Sequence, residues 1–490
     1  MKRLSFLLII FSLMLFAACD SIEDTYKEFV GDGPIRYPGK CTNVSVTSGW
    51  ECLRVSWNIS DDPTIKHIVV TCMSETDTIK KELEPSATNC VIDQLANQNY
   101  VIKVQSLASD GNLSLSDNYT ERPYTYEHEA VKGYTRGYSK AYVAKGHLLL
   151  IMSSWDDGME YYGISYTKPD GTSAETELTK SDFEKKYLDF GGIDTTKPIT
   201  LNRRAKLAGC PDDITFEPIV FSNIVVFDSD VRKNLQERYG LGNDDQENYA
   251  ATAETIEFDH DLLSFEDLLL FSHLKKIVLG KNHYFDGNHF AYPSLDNIQT
   301  SEWVLDRLHD IYGTEVEIYG NSYFPINWNP SYVKRMNVSE LPSIAYLPTT
   351  GWSISNSMDD SENGKLINLL DNNASTAWTS WSSSDGVRTM ALTIDMKQQQ
   401  QIHGVKIVQS NNTENQNYFP NKLKLEYTDN PDGQWYDLTY VEENTLGTAA
   451  GEATLLKAAQ QTKARYLRVT VAEQTYKGQV KVTLGDIAVY

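Results

Sequence analysis

Five short segments near the C-terminus, ALTID (391–395), VKIV (405–408), LKLEY (423–427), YLRVTV (466–471) and DIAVY (486–490), alternate apolar and polar residues. Successive side chains on a strand point to opposite faces, so this period-2 pattern buries one face and wets the other only in an extended chain. The same alternation opens the chain. Leu53, Val55 and Trp57 share one face of CLRVSWN, and HIVVTCM, NCVIDQL and NYVIKVQSL follow, separated by polar turn segments. A mainly β, multidomain protein is the consequence, with Trp57 on an inward face.

Strand signals at this spacing suggest a β-sandwich of fibronectin III or immunoglobulin type over 41–125. A second sandwich follows over 126–221: HLLLIMSSW and YYGISYTKPDG read as strands, punctuated by Asp156-Asp157-Gly158 and Pro169-Asp170-Gly171 turns. Asp156, Asp157 and Glu160 are read as turn residues, because the twelve-residue calcium loop is absent. Over 222–344 the texture changes to α+β. Leu262, Leu263, Leu268, Leu269, Leu270 and Leu274 crowd one stretch, and WVLDRLHDIYG has helical spacing, stops at Gly313 and leads into EVEIY. That helix–loop–strand element resembles a leucine-rich-repeat turn, but no fixed period of about 20 to 29 residues recurs. His273, His283, His289 and His309 in this region match no local metal-ligand spacing.

Hydrophobic content of 41% and aromatics at 11% are those of a folded globular protein. A formal charge of −23 makes nucleic acid and anionic lipid poor partners, since either meets a repulsive field. Besides Cys19, the chain has Cys41, Cys52, Cys72, Cys90 and Cys210, without C-x-x-C spacing; disulfides among the first four and buried free thiols are both open.

The N-terminus has the layout of an export signal: Met1-Lys2-Arg3, an apolar run from Leu4, and Ala17-Ala18 before Cys19. The run is too short to span a bilayer. Phe16-Ala17-Ala18-Cys19 resembles a bacterial lipobox, departing from it at Phe16, where an aliphatic residue is usual. The resemblance implies a signal peptide over 1–18, a lipid on Cys19 and a tether over 19–40. The acidic Asp20-Ser21-Ile22-Glu23-Asp24 is similar to the surface-export signals of Bacteroidetes lipoproteins, which implies an outer-membrane anchor facing outside the cell. EDTYKEFVGDGPIRYPGK and the segment VSVTSGWECLRVSWN resemble an uncharacterised domain family at the start of such lipoproteins.

Residues 345–490 resemble a discoidin domain, the coagulation factor 5/8 C-terminal type, whose fold is shared with family 32 carbohydrate-binding modules. The resemblance rests on the D-x-x-x-x-T-x-W pattern at Asp371, Thr376 and Trp378, on the ordered strands above, and on the closing strand ending at Tyr490. It implies a jelly roll. Trp378 and Trp435 are expected to anchor its core. It also implies a structural calcium at Asp371, Asn373, Thr376 and Asp486, oxygen ligands that suit a hard cation, with a metal-free hydrogen-bonded loop as the alternative.

Ligands of that family bind on loops at one end of the jelly roll. Here the candidates are Trp381 and Arg388 on one loop and Asn412, Asn415, Tyr418 and Phe419 on another, aromatic faces for a sugar ring and polar groups for its hydroxyls. The arginine usual after the preceding strand is replaced by Gln409-Ser410. The expected function is carbohydrate binding at the cell surface, in a polysaccharide-capture system with an outer-membrane transporter complex as partner. Protein-binding adhesion or assembly is the alternative. No nucleophile elbow, Walker loop, zincin motif or dinucleotide fingerprint is present, so binding is expected without catalysis.

Overall fold

The computed structural model describes residues 37–223, 225–285, 293–337, 343–358, 365–384 and 386–490. Cys19, the signal segment, most of the tether and His289 lie outside the described residues.

The first unit is two antiparallel sheets face to face. One runs Thr42–Gly49, Cys52–Asn58, Asn89–Ile92; the other runs Thr78–Leu83, Ile65–Met73, Tyr100–Ala108, Tyr119–Glu121. Alternation does what the sequence requires: Leu53, Val55 and Trp57 enter a core with Ile68, Val70, Cys72 and Ile102. The five described cysteines are free thiols. Burial raises them all, Cys72 to about 11, so they pack as small apolar residues.

In the second unit the strands Tyr138–Ala144, His147–Met152 and Tyr187–Gly191 form one sheet, and a five-stranded antiparallel sheet around Met159–Thr167 and Ile199–Lys206 forms the other. The continuous apolar run of HLLLIM has a physical reason. Leu148, Leu150 and Met152 face the core of this unit, while Leu149 and Ile151 face the core of the next. Asp156 is a turn residue, its carboxylate accepting the Gly158 N–H at 3.1 Å.

The third unit carries a parallel sheet whose strands lie in chain order: Thr255–Phe258, Lys276–Leu279, Glu315–Tyr319, Val333–Met336. Paired positions Ile256, Ile277, Val316 and Val333 are unevenly spaced along the chain, in keeping with the missing repeat period. The helix Ile298–Tyr312 buries Val304, Leu305 and Leu308 and ends at Gly313, whose φ of 70° suits glycine. The histidines do not converge: among the described residues no group of three or more His, Cys, Asp or Glu is placed to hold a metal. His273 is exposed, but His283 is only 5% exposed, more deeply buried than its sequence context suggested.

The last unit is the expected jelly roll, built on two long strands, Thr389–Val408 and Glu452–Ala472, that pair along most of their length. Irregular register at Asp395/Gln400 and Ile402/Gly404 bends the pair, so each strand serves two faces. Trp378 is wholly buried among Leu392, Ile394, Leu467 and Val469. Trp435 is not in the core. It is half-buried at the surface, with the Arg468 guanidinium 4.2 Å over its ring and its indole N–H donating to the Pro431 carbonyl at 3.3 Å. The inward position it was expected to fill belongs to Leu438, which follows it. The jelly roll is also not a separate bead. The strand His283–Phe285 of the third unit pairs antiparallel with its strand Glu452–Ala472.

Candidate functional site

Two constructions stand at the loop end of the jelly roll. The first is an oxygen-rich loop. After the 3-10 turn Leu366–Leu370, Asp371 accepts the Asn373 N–H at 2.9 Å with one carboxylate oxygen and the Thr376 hydroxyl at 2.6 Å with the other. The Thr376 hydroxyl also lies 2.8 Å from the Asn373 carbonyl. Asn372, at φ 58°, turns the chain so that its N–H donates to Asp486 Oδ1 at 2.8 Å. Asp371, Asn373 and Thr376 thus form one hydrogen-bonded loop, the metal-free arrangement given above as the alternative, and Asp486 is held against it through Asn372.

Asp486 is 2% exposed, and its Oδ2 is buried with no hydrogen-bond partner. Burial pushes its carboxyl up to about 6; the neighbouring Asp371 charge adds to the rise and Lys406 opposes it. A dehydrated carboxylate oxygen without a donor is costly unless it is protonated or faces a cation. The donor set contains oxygen only, so these residues fit a hard divalent ion.

The second construction carries the exposed aromatics. Arg388 does not present its guanidinium as a ligand hook. Its Nε and Nη2 donate to both oxygens of Glu473 at 3.0 and 2.6 Å, and Nη2 donates also to the Trp381 carbonyl at 2.7 Å. Glu473 is 2% exposed, and also accepts the Ser380 hydroxyl and the Arg388 N–H. A charged fork satisfied on both sides makes a stiff base for the loop. On that base the Trp381 side chain stands 56% exposed.

The loop 411–419 contributes differently from expectation. Asn412 caps the 3-10 helix Thr413–Tyr418, its side chain accepting the Glu414 N–H at 3.0 Å; the Asn415 N–H donates to the Asn412 carbonyl at 3.1 Å. Tyr418 and Phe419 are 8% and 3% exposed, so their faces are packed rather than offered to a ligand. The Tyr418 hydroxyl donates to Gln479 at 3.2 Å, and its ring meets Tyr476 edge to face at 6.2 Å. Gln409 is buried beneath and braces the loop through the Pro420 and Gly447 carbonyls at 2.9 and 2.8 Å.

Tyr476 is the residue that sequence reasoning missed. It is 37% exposed beside a two-residue turn in which Lys477 and Gly478 both have positive φ. A Lys-Gly pair between polar strands is the signal that could have marked this hairpin. Trp381 and Tyr476 thus give the loop end two exposed rings, and Tyr418 is the support under one of them.

Two domain-family models match parts of the chain. Residues 352–483 match the F5/8 type C domain family, and residues 19–200 match a domain of unknown function, DUF4998. No curated protein matches the chain. Among solved structures, a family 32 carbohydrate-binding module of a family 31 glycoside hydrolase from Clostridium perfringens is 14% identical, covering 30% of this chain and 94% of that one with a TM-score of 0.26. The family 32 module of C. perfringens NanJ, in complex with galactose, is 15% identical over 29% of this chain and 96% of that one, TM-score 0.24. The C-terminal domain of a Bacteroides fragilis chitobiase is 18% identical over 30% and 97%, TM-score 0.23. The C-terminal part of the chain is thus a discoidin-type jelly roll, and the N-terminal part contains a DUF4998 domain.

Proposed function

We propose that this chain is a cell-surface lipoprotein that binds carbohydrate at the loop end of its jelly roll, without catalysis, as part of a polysaccharide-capture system. One observation carries the reading: an indole that is 56% exposed at Trp381 stands on a half-buried Arg388 doubly hydrogen-bonded to the buried Glu473. A large apolar face on the surface costs solvation unless something covers it, and a rigid base means that covering it costs little ordering entropy. A pyranose offers an apolar C–H face to such a ring. The match to the F5/8 type C family supports the same reading.

Calcium would be held by Asp371, Asn373, Thr376 and Asp486, where it fixes the loop that leads into Trp378. Cys19 would carry the lipid and hold the chain on the outer membrane, facing outward, beside a transporter complex. Capture is then an equilibrium whose weak single contacts gain from many anchored copies.

The test is a glycan array probed with the mature chain and with Trp381→Ala and Tyr476→Ala. Loss of the Trp381 ring is expected to cost about 2 kcal/mol, roughly thirtyfold in Kd. Unchanged glycan binding in the double variant, or no glycan bound while one partner protein is captured, would sink the proposal.

A further inference from the structure

The third unit and the jelly roll enclose a cleft of about 530 Å³. One wall is built at the carboxyl ends of two parallel strands: Glu257 is the penultimate residue of Thr255–Phe258, Asp259 and His260 follow that strand, and Lys281 and Asn282 come just after Lys276–Leu279. Side chains converge there because parallel strands all deliver their chain ends to one edge, the place where open parallel sheets hold ligands. The opposite wall is the jelly roll's own, with Tyr440, Asn444, Lys457 and Tyr490. The strand His283–Phe285, paired with the jelly roll, and the Thr445–Glu237 hydrogen bonds hold the two walls together.

The charges of the first wall are already matched to one another. Arg238 donates to Glu257 at 2.7 Å and pairs with Asp259; Lys281 lies 3.5 Å from Glu257; Asn282 donates to Asp259 at 2.8 Å. An anion would meet these carboxylates and a cation would meet Arg238 and Lys281, so a charged ligand gains little. Hydrogen-bonding capacity remains. Each carboxylate oxygen has two lone pairs, and His260 Nδ1 is buried without a partner while its Nε2 lies 3.2 Å from Glu237. Tyr440 is 44% exposed, and burial keeps the Tyr490 phenol neutral, pushed up to about 12. Alternating donors and acceptors with phenol rings on the facing wall are the chemistry that hydroxyl-rich, uncharged molecules require. The volume lies in the range of small-ligand sites, about 300 to 1,000 Å³. Through Asp259, His260 and His283 the cleft adjoins a smaller pocket of about 160 Å³ that reaches Gln416, in the loop behind Tyr418.

We propose that this cleft is a second sugar-binding site, which takes a short stretch of a neutral glycan between the parallel sheet and the jelly roll. It rests on the glycan reading for the class of ligand, but on different residues.

The experiment titrates the full chain with galactose, N-acetylgalactosamine, glucose, mannose and fucose, following binding by calorimetry and hydrogen exchange at 257–260 and 281–283. In Trp381→Ala the cleft is expected to keep its sugar-dependent slowing of exchange. Tyr440→Ala is expected to lose it, with binding at least about tenfold weaker, and Lys457→Ala, an exposed position that cannot threaten the fold, to weaken it by about threefold. Thermal melts separate lost binding from lost folding in Tyr440→Ala. If Trp381→Ala abolishes every sugar effect, including that in the cleft, the cleft proposal is overturned and the loop-end reading stands. If sugar binding survives Trp381→Ala and Tyr476→Ala but not Tyr440→Ala, the loop-end reading falls and the cleft stands. If no sugar alters exchange at 257–260 or 281–283, the cleft is not a site.

Discussion

The units of this chain are joined by two different kinds of seam. Between the first and second sandwiches the contact is narrow, an ion pair beside Trp50, which packs against the second unit's core. Arg54 forks onto Asp212 at 2.7 and 2.8 Å, the Trp50 N–H donates to the same carboxylate at 2.8 Å, and Trp50 meets Tyr126 edge to face at 4.8 Å. Gly49 allows the approach, because a Cβ there would fall 2.1 Å from the Arg54 guanidinium. Between the second sandwich and the parallel-sheet unit the seam is a core. Leu149 and Ile151 of one sheet lie in the same cluster as Leu268, Leu305 and Ile318 of the parallel-sheet unit, Tyr187 stacks on Trp303 at 4.7 Å, and the jelly roll shares a strand pairing with that unit. Exposed ion pairs contribute about 0 to 1 kcal/mol, whereas parting a shared core exposes apolar surface at about 25 cal/mol per Å². The comparison teaches that the chain has one weak joint, next to the first sandwich, and beyond it one body of three units.

The largest expected effect comes from a residue in a shared core. Leu149 is fully buried, so Leu149→Ala should cost about 2 to 5 kcal/mol and lower one calorimetric transition common to the second sandwich, the parallel-sheet unit and the jelly roll. The first sandwich should melt where it did before. Separate transitions for the second and third units in the unaltered chain would break the comparison at once.

What the sequence could show of this divides along physical lines. Period-2 alternation reports which residues face inward, so the strands and Trp57 were legible; Trp378 was expected in the core beside Trp435 and only Trp378 is there, because a ring at a loop–strand edge has no local signal for the side it takes. The helix that ends at Gly313 was legible for a similar reason, its 3.6-residue period and its stop being local. HLLLIM reads as a buried strand, but no local pattern says that its two faces serve two cores. Ligand-site residues failed for want of partners: Arg388 reads as a sugar hook until Glu473, far along the chain, is seen to hold it. Tyr418 and Phe419 are loop aromatics whose composition is the same whether packed or exposed; the exposed neighbour is Tyr476. His260 with Glu237 and His283 with Glu452 are likewise pairs that only tertiary structure assembles.

The proposed calcium would sharpen the comparison, because the loop of Asp371 and Asp486 lies inside the body. The folded-state value of Asp486 is raised to about 6, so the folded chain holds this proton more tightly than the unfolded chain does. The stabilisation it gives is full below the ordinary carboxylate range and is lost as pH rises through about 6. A cation needs the ionised form, so added calcium should raise the melting temperature at pH 7.5 and do little at pH 5. At a hundredfold excess over Kd the gain is about 2.7 kcal/mol. Differential scanning calorimetry should show the shift in the shared transition, with none in the first sandwich, and Asp486→Asn should abolish it. A calcium shift equal at both pH values, or one retained in Asp486→Asn, would remove the metal from this loop.

The smallest effect belongs to the narrow seam. Arg54 holds Asp212 below the usual carboxylate range, so this pair contributes above that range and its contribution is lost as pH falls through the folded value. Because the Arg54 side chain is 39% exposed, water and salt screen the pair, and Arg54→Ala should change stability by no more than about 1 kcal/mol. Its effect should be geometric instead. Small-angle scattering of Arg54→Ala should show a wider spread of overall dimensions, and the unaltered chain should approach the same spread at high salt or as pH is lowered through the carboxylate range, while sugar binding at the jelly roll stays as it was. A variant whose scattering matches the unaltered chain under every condition would mean that the Trp50–Tyr126 contact alone fixes the joint, and that the narrow seam is as rigid as the apolar one.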